Sequence, residues 1–306
     1  MRISDLNLGA TLYTPAVINI LKAKSMITGL AYPDLKSMVI CLEDSLSENQ
    51  VSPALINLKK TLTSFKEEAL KRKVLLFIRP RNLEMAKQIL GWGLNDCFDG
   101  FVAPKFALGD PWLEIMGDDL YLMPTCEDRN YFDAAYRAEV RAWLEPNKER
   151  VLCLRVGGND LLATLGIRRP KTFTIYDTPV GSLIQNMVGE FSSRGFALNS
   201  PVFEHFTNTT LLEKELALDL ANGLLTKTAI HPLQIPFIQG AYRVDEQDLV
   251  EAETILAISS AASVGVCKSD SGSMLEPATH ESWAKRTIER AQIYGVVNKM
   301  EVFNFA

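Results

Sequence analysis

The chain has little of what staples or localises a protein. It holds five cysteines in 306 residues, at positions 41, 97, 126, 153 and 267, widely spaced and without a CxxC pair. That pattern excludes a zinc ribbon and a disulfide framework. Apolar flanks such as Val39-Ile40-Cys41-Leu42 predict reduced, mostly buried thiols. There are three histidines, no GxGxxG and no phosphate-binding loop. No apolar run approaches the ~18 residues a membrane-spanning helix needs. The opening Met1-Arg2-Ile3-Ser4-Asp5 lacks the charged-then-apolar layout of a signal peptide, so a cytoplasmic location is expected. Positive charge is not in excess either. Lys and Arg number 32 against 37 Asp and Glu, a formal net charge of −5, which gives no footprint for nucleic acid or an anionic membrane. The one basic cluster, Lys66 to Lys73, fits a solvated helix end with Glu67–Lys71 and Glu68–Arg72 spaced i,i+4.

What is present is an ordinary globular composition, 47% hydrophobic and 23% charged, with 18 Gly and 14 Pro. The length allows two domains of ~150 residues or one α/β barrel of ~250 residues with insertions. Short apolar runs alternate with helical patterns. Strands are predicted at 10–13, 38–42, 74–78, 100–103, 120–123, 151–156, 197–203 and 228–230. Helices are predicted at 52–72, 85–90, 133–144, 181–193 and 211–221, the first with Ser52 as N-cap and Pro53 at the first helical position. Continuous apolar strands bounded by turns argue for a buried parallel sheet, and eight βα units for a closed (β/α)8 TIM barrel. An open doubly wound sheet is the competing arrangement.

Beyond the eighth strand the pattern changes. Residues 245–262 read as a helix, 259–273 as a Ser-, Ala- and Gly-rich joint, and 279–299 as a last amphipathic helix. The expected organisation is a barrel over 1–244 and a helical appendage over 245–306, which serves as a lid or as a contact in an oligomer.

Barrel active sites sit at the C-terminal ends of the strands. Those ends carry Glu43-Asp44, Arg79-Pro80-Arg81-Asn82, Pro104-Lys105, Glu127-Asp128, Gly157-Gly158-Asn159-Asp160, Glu204-His205 and His231-Pro232. Each has a plain alternative. Asp44 and Asp160 suit helix caps, Arg79 suits a structural ion pair with Glu43 or Glu127, Lys105 suits the surface, and His231 suits the barrel rim. Taken together, Glu127 and Asp160 on adjacent strands are oxygen donors for Mg2+ or Mn2+ rather than zinc. Arg79 is a fork-shaped grip for an anion. The Gly157-Gly158 pair lets backbone or ligand approach closely. Such a site suits enolate stabilisation while a carbon–carbon bond breaks or forms.

At this point several segments resemble the citrate lyase β-subunit and malyl-CoA lyase family. Val39-Ile40-Cys41-Leu42-Glu43-Asp44-Ser45 is similar to its LDLEDAV strand, and Phe77-Ile78-Arg79-Pro80-Arg81-Asn82 to its VRVN segment. Gly100-Phe101-Val102-Ala103-Pro104-Lys105 is similar to GIVLPK, and 158–166 to G-x-x-D-L-x-x-x-L-G. Lys227 to Gln234 is similar to GK-x-x-IHP-x-Q, and 272–276 to the C-terminal G-x-M-[VI]-D. The order is kept from residue 9 to about 290. The resemblance implies a TIM barrel with Mg2+ and a C-terminal lid that often packs on a neighbour. It implies Glu127 and Asp160 as metal ligands, Arg79 as the substrate-carboxylate clamp, and Glu43 and Asp44 close behind. Lys105, Gly157, Gly158 and His231 fall in substrate-binding segments. Glu276 matches a lid acid that moves a proton in malyl-CoA-type relatives, where the family has Asp.

Departures are also visible. Thr125-Cys126-Glu127-Asp128 stands where the family has I-E-T, which makes Asp128 a rival ligand. The start, 8–16, and the segment 174–181 look more like divergent lyase-like barrels encoded beside tellurium-resistance genes, so the CoA moiety of a substrate stays an open expectation. The resulting expectation is a Mg2+-dependent carbon–carbon lyase, or its reverse, acting on a small oxo or hydroxy acid or its CoA thioester, as a homo-oligomer (trimer or hexamer). The alternatives are an acyl-CoA thioesterase using the same metal site and a non-catalytic subunit of a larger complex.

Overall fold

Eight largely buried runs form the strands β1 (Ala10–Pro15), β2 (Ser37–Cys41), β3 (Leu75–Arg79), β4 (Gly100–Ala103), β5 (Tyr121–Cys126), β6 (Leu154–Val156), β7 (Leu198–Asn199) and β8 (Lys227–Ala229). The computed structural model describes residues 3–44, 46–260, 266–269, 272 and 274–298. Every neighbouring pair is parallel, in the order β7-β6-β5-β4-β3-β2-β1-β8. The circle closes where Ser200 bridges Lys227 in parallel and the Ser200 amide donates to the Thr226 carbonyl, 2.9 Å away. The fold is therefore a (β/α)8 TIM barrel, and all eight strands lie where the sequence places them. β7 is the shortest, since Pro201, one residue beyond the bridged Ser200, cannot donate to a ladder.

The helices are α1 (Ile20–Ile27), α2 (Glu48–Glu67), α3 (Leu83–Leu90), α4 (Trp112–Ile115), α5 (Ala134–Leu144), α6 (Gly158–Thr164), α7 (Pro179–Phe191), α8 (Thr209–Ala221), α9 (Gln234–Ala241), α10 (Glu246–Ser260) and α11 (Pro277–Tyr294). α2 departs from expectation at both ends. It starts one turn earlier, with Ser47 and Gln50 forming a capping box, so Pro53 lies inside the helix. It stops at Glu67, and Ala69 takes a left-handed φ of 49°. Lys71 and Arg72 are therefore beyond the helix. Glu68 pairs instead with Lys24, and Arg72 with Asp99 at 2.6 Å.

The chain divides into two compact units, Met1–Ile238 and Gln239–Ala306, the division falling within α9. In the first, side chains inside the barrel follow the two-residue period of a strand. Val39, Phe77, Val102, Met123 and Cys153 form one buried apolar cluster with Leu8 and Leu152. Two residues further along their strands stand Cys41, Arg79, Thr125 and Arg155, and two further again Glu43, Glu127 and Gly157. An apolar lower storey thus carries a polar one. Lys227 has the opposite parity and points out of the barrel toward α8. There its ammonium, fully buried, pairs with Glu215 at 3.0 Å and Asp219 at 2.8 Å. Arg169 also pairs with Glu215.

The second unit pairs α10 with α11 over Ala252, Ile255, Leu275 and Ala284. It adds a parallel pair, β9 (Val244–Asp245) with β12 (Val296–Val297), and an antiparallel pair, β10 (Cys267–Lys268) with β11 (Met274–Leu275). The joint expected over 259–273 lies largely outside the described residues. Cys41, Cys97, Cys126 and Cys153 are free and buried. Among the described residues no helix is long and apolar enough to cross a membrane.

Candidate active site at the barrel mouth

The carboxyl ends of the strands surround a cavity of about 340 Å³. Glu43, Asp44, Arg79, Glu127, Gly157, Gly158 and Asp160 line it, so the barrel brings together seven of the residues singled out in the sequence. Arg79 is the hub. Its Nε donates to Glu43 Oε2 at 2.8 Å and its Nη2 to Glu127 Oε1 at 3.0 Å. All three are less than a tenth exposed. Burial works against the charge on Arg79, yet Tyr13 and the Glu127 and Glu43 carboxylates beside it hold its pKa above the usual range.

Glu127 is positioned from three sides. Arg79 holds one oxygen, and the Lys105 amide donates to the same oxygen at 2.7 Å. Behind it, Gly157 leaves the necessary room: a Cβ there would come within 2.3 Å of Glu127 Cβ and 2.6 Å of Oε2. Lys105 itself has a left-handed φ of 45°. Burial pushes Glu127 up to about 7. Arg79 and the Lys105 amide oppose that rise, and the nearby Asp160 and Glu43 carboxylates add to it. Burial likewise raises Glu43, against Arg79.

Asp160 occupies the third position of α6, whose N-cap is Gly157, so its carboxylate does not cap the helix. Its main-chain carbonyl accepts from Thr164 Oγ1 at 3.0 Å, while its carboxylate accepts no hydrogen bond and forms no ion pair among the described residues, and the residue lines the cavity. Asp128 is spent locally: it caps the 3-10 turn Arg129–Phe132 through the Asn130 amide at 2.8 Å and does not line the cavity. Among the described residues no three His, Cys, Asp or Glu side chains gather as a metal cluster. Glu127 and Asp160 are thus a two-carboxylate set of hard oxygen donors, the kind that suits a cation keeping other ligands from solvent or substrate.

The remaining candidates have different settings. The Lys105 ammonium is exposed, 3.7 Å from Glu43 and 4.0 Å from Asp44. Gly158 serves packing, since a Cβ would meet Ile175 and Pro201 at 2.8 Å. His231 stacks on Phe206 with ring centroids 4.4 Å apart and does not line the cavity. In the same motif Gln234, fully buried, is the structural piece. Its Oε1 accepts from the Ile230 and His231 amides and its Nε2 donates to the Phe203 carbonyl. Glu276 lies in the second unit, where it is the N-cap residue of α11 and its amide donates to His280 Nδ1 at 3.1 Å.

Four residues at the site carry roles that the sequence did not announce. Arg81 ties down the loop bearing Glu43 and Asp44, donating to the Leu42 carbonyl at 3.2 Å and the Leu46 carbonyl at 2.8 Å. Tyr13, Thr125 and Arg155 line the cavity from within strands. Their only signal is a polar side chain at an inward position of an apolar run.

A family model described as C–C bond lyase of the TIM-barrel fold matches residues 2–296. The chain belongs to this lyase family. Among solved structures, the fold of this family member is shared with CitE from Mycobacterium tuberculosis in complex with magnesium, acetoacetate and coenzyme A. That match has 20% identity over 94% of this chain and 99% of that one, with a TM-score of 0.67. RipC from Yersinia pestis matches with 18% identity over 78% of this chain and 96% of that one, TM-score 0.58. The citrate lyase beta subunit from M. tuberculosis with oxaloacetate and magnesium matches with 19% identity over 78% and 99%, TM-score 0.56. No curated protein sequence matches the lyase family member significantly.

Proposed function

We propose that the chain is a Mg2+-dependent carbon–carbon lyase, or runs the reverse condensation, on a small 2-oxo or hydroxy acid. The observation that carries this reading is the Glu127–Asp160 carboxylate pair on the cavity wall beside the buried Arg79. Four acids, Glu43, Asp44, Glu127 and Asp160, face three cations, Arg79, Arg155 and the neighbouring Lys105. That excess of negative charge suits a divalent cation, which Glu127 and Asp160 would hold. Bound there, the ion supplies Lewis acidity, stabilising negative charge that develops on oxygen as the bond breaks or forms. The relatives solved with magnesium and acetoacetate or oxaloacetate support the same class of ligand.

The chain's own residues do the positioning. Arg79 fixes the Glu43 and Glu127 carboxylates and keeps positive charge at the substrate. Lys105, whose exposed ammonium stands 3.7 Å from Glu43, meets the outer part of the substrate. The test is turnover of 2-oxo acids, hydroxy acids and acyl-CoAs with and without Mg2+ or Mn2+, following both carbonyl products and free thiol. Metal-dependent appearance of a carbonyl product is the expected result. Thiol release without it would assign a thioesterase, and no turnover by the purified protein would favour a subunit role; either overturns the reading.

A further inference from the structure

One cation in the cavity has no counter-ion. Arg155 is 2% exposed and lines the cavity, yet among the described residues it forms no ion pair. Its Nη2 donates to Thr228 Oγ1 at 2.6 Å and its Nη1 points to the Met123 thioether at 3.6 Å, a weak acceptor. The Tyr13 ring stands 5.1 Å from its Cζ, and its other near neighbour is the Cys153 thiol. A guanidinium stays charged in any protein, and burying it among neutral groups is costly. Arg79 shows the contrast, being engaged by two carboxylates.

Beside it is a second vacancy of bonding. Thr125 Oγ1 is buried and has no hydrogen-bond partner. Thr125 pairs in register with Arg155 across β5 and β6, so the two side chains leave the sheet on the same face, into the cavity. A carboxylate arriving there would accept from the guanidinium fork and from the hydroxyl at once, satisfying both.

We propose that Arg155 and Thr125 form an anion subsite one storey below Glu127, which selects an acid with two anionic ends. One end lies at Glu127 and Asp160 and the other on Arg155. This rests on the lyase reading for the outer end only. The substrate class is then a compact dicarboxylate with an oxo or hydroxy group. A monocarboxylate of the same skeleton leaves Arg155 unpaired.

The experiment is calorimetric titration of the full chain with oxaloacetate and with 2-oxobutyrate, and with succinate and butyrate, in the presence of Mg2+. The wild type should prefer each dianion by about tenfold or more, the scale of hydrogen bonds to charged groups. Arg155→Gln should remove the preference. Thr125→Val, which is nearly isosteric and deletes a hydroxyl with no present partner, should reduce it several-fold without lowering the melting temperature, and it decides the matter if the Arg155 variant fails to fold. Equal affinity for the paired acids in the wild type, or a preference unchanged in Thr125→Val and in any folded Arg155→Gln, would overturn the proposal. A dianion preference in a protein that cleaves none of these acids would keep the subsite and reject the lyase reading; cleavage without the preference would do the reverse.

Discussion

Gly157 and Glu127 touch with no space for a methyl group between them: a Cβ on residue 157 would lie 2.3 Å from Glu127 Cβ. The glycine that the sequence suggested for close approach of backbone or ligand is needed first for close approach of a carboxylate. Gly157→Ala should therefore leave the barrel folded and displace Glu127. A misplacement of ~1 Å at a reacting centre costs on the order of 10²-fold in rate. Measured kcat should fall by that order, with a reduced Mg2+-dependent rise in melting temperature.

Metal binding itself is read by thermal shift. Ligand that binds only the folded state stabilises by mass action, so Mg2+ should raise the melting temperature. Glu127→Gln and Asp160→Asn should each abolish the rise, since either removes one charge of a two-carboxylate set. Unchanged Mg2+ affinity in both would assign the ion elsewhere.

Arg79→Lys keeps the charge and loses the geometry. An ammonium is a point donor and cannot span Glu43 and Glu127 as the guanidinium does at 2.8 and 3.0 Å. Turnover should drop by roughly 10²-fold, the scale of losing one preorganised donor. A kcat/KM equal to wild type would show that the span is not needed.

Away from the mouth, Lys227 pairs with two fully buried acids, Glu215 and Asp219, the first of them shared with Arg169. Lys227→Met leaves them facing each other without it. Breaking a buried pair from one side costs about 3–5 kcal/mol, to be read as a lower urea midpoint. Circular dichroism in the absence of urea distinguishes a destabilised barrel from an unfolded one.

Much of this was legible in the chain. The strands are largely buried, so their apolar runs stand out, and the charged residues just beyond them mark one end of the barrel. Glu43, Arg79, Glu127 and Asp160 were found that way. Helix punctuation misled where two signals competed: Ser52-Pro53 has the form of a helix start, but Ser47 and Gln50 cap α2 a turn earlier. The Glu67–Lys71 pairing failed because the helix ends before it, a left-handed Ala69 having no sequence mark. Tyr13, Thr125 and Arg155 were passed over because they sit inside strands, where one inward position cannot be told from another without the register. Gln234 was noticed as part of a motif, yet its three bonds to backbone join loops that are distant in sequence.

The storeyed interior has an evolutionary consequence. The apolar cluster of Val39, Phe77, Val102, Met123 and Cys153 holds the strands together without help from the polar residues above it. Exchanges at 125, 155 or 228 can then change which acid is accepted while the foundation stays untouched. Descendants of one such barrel can diverge in substrate by altering a few inward positions on a single level, with the level of Glu127 and Gly157 and the scaffold inherited whole.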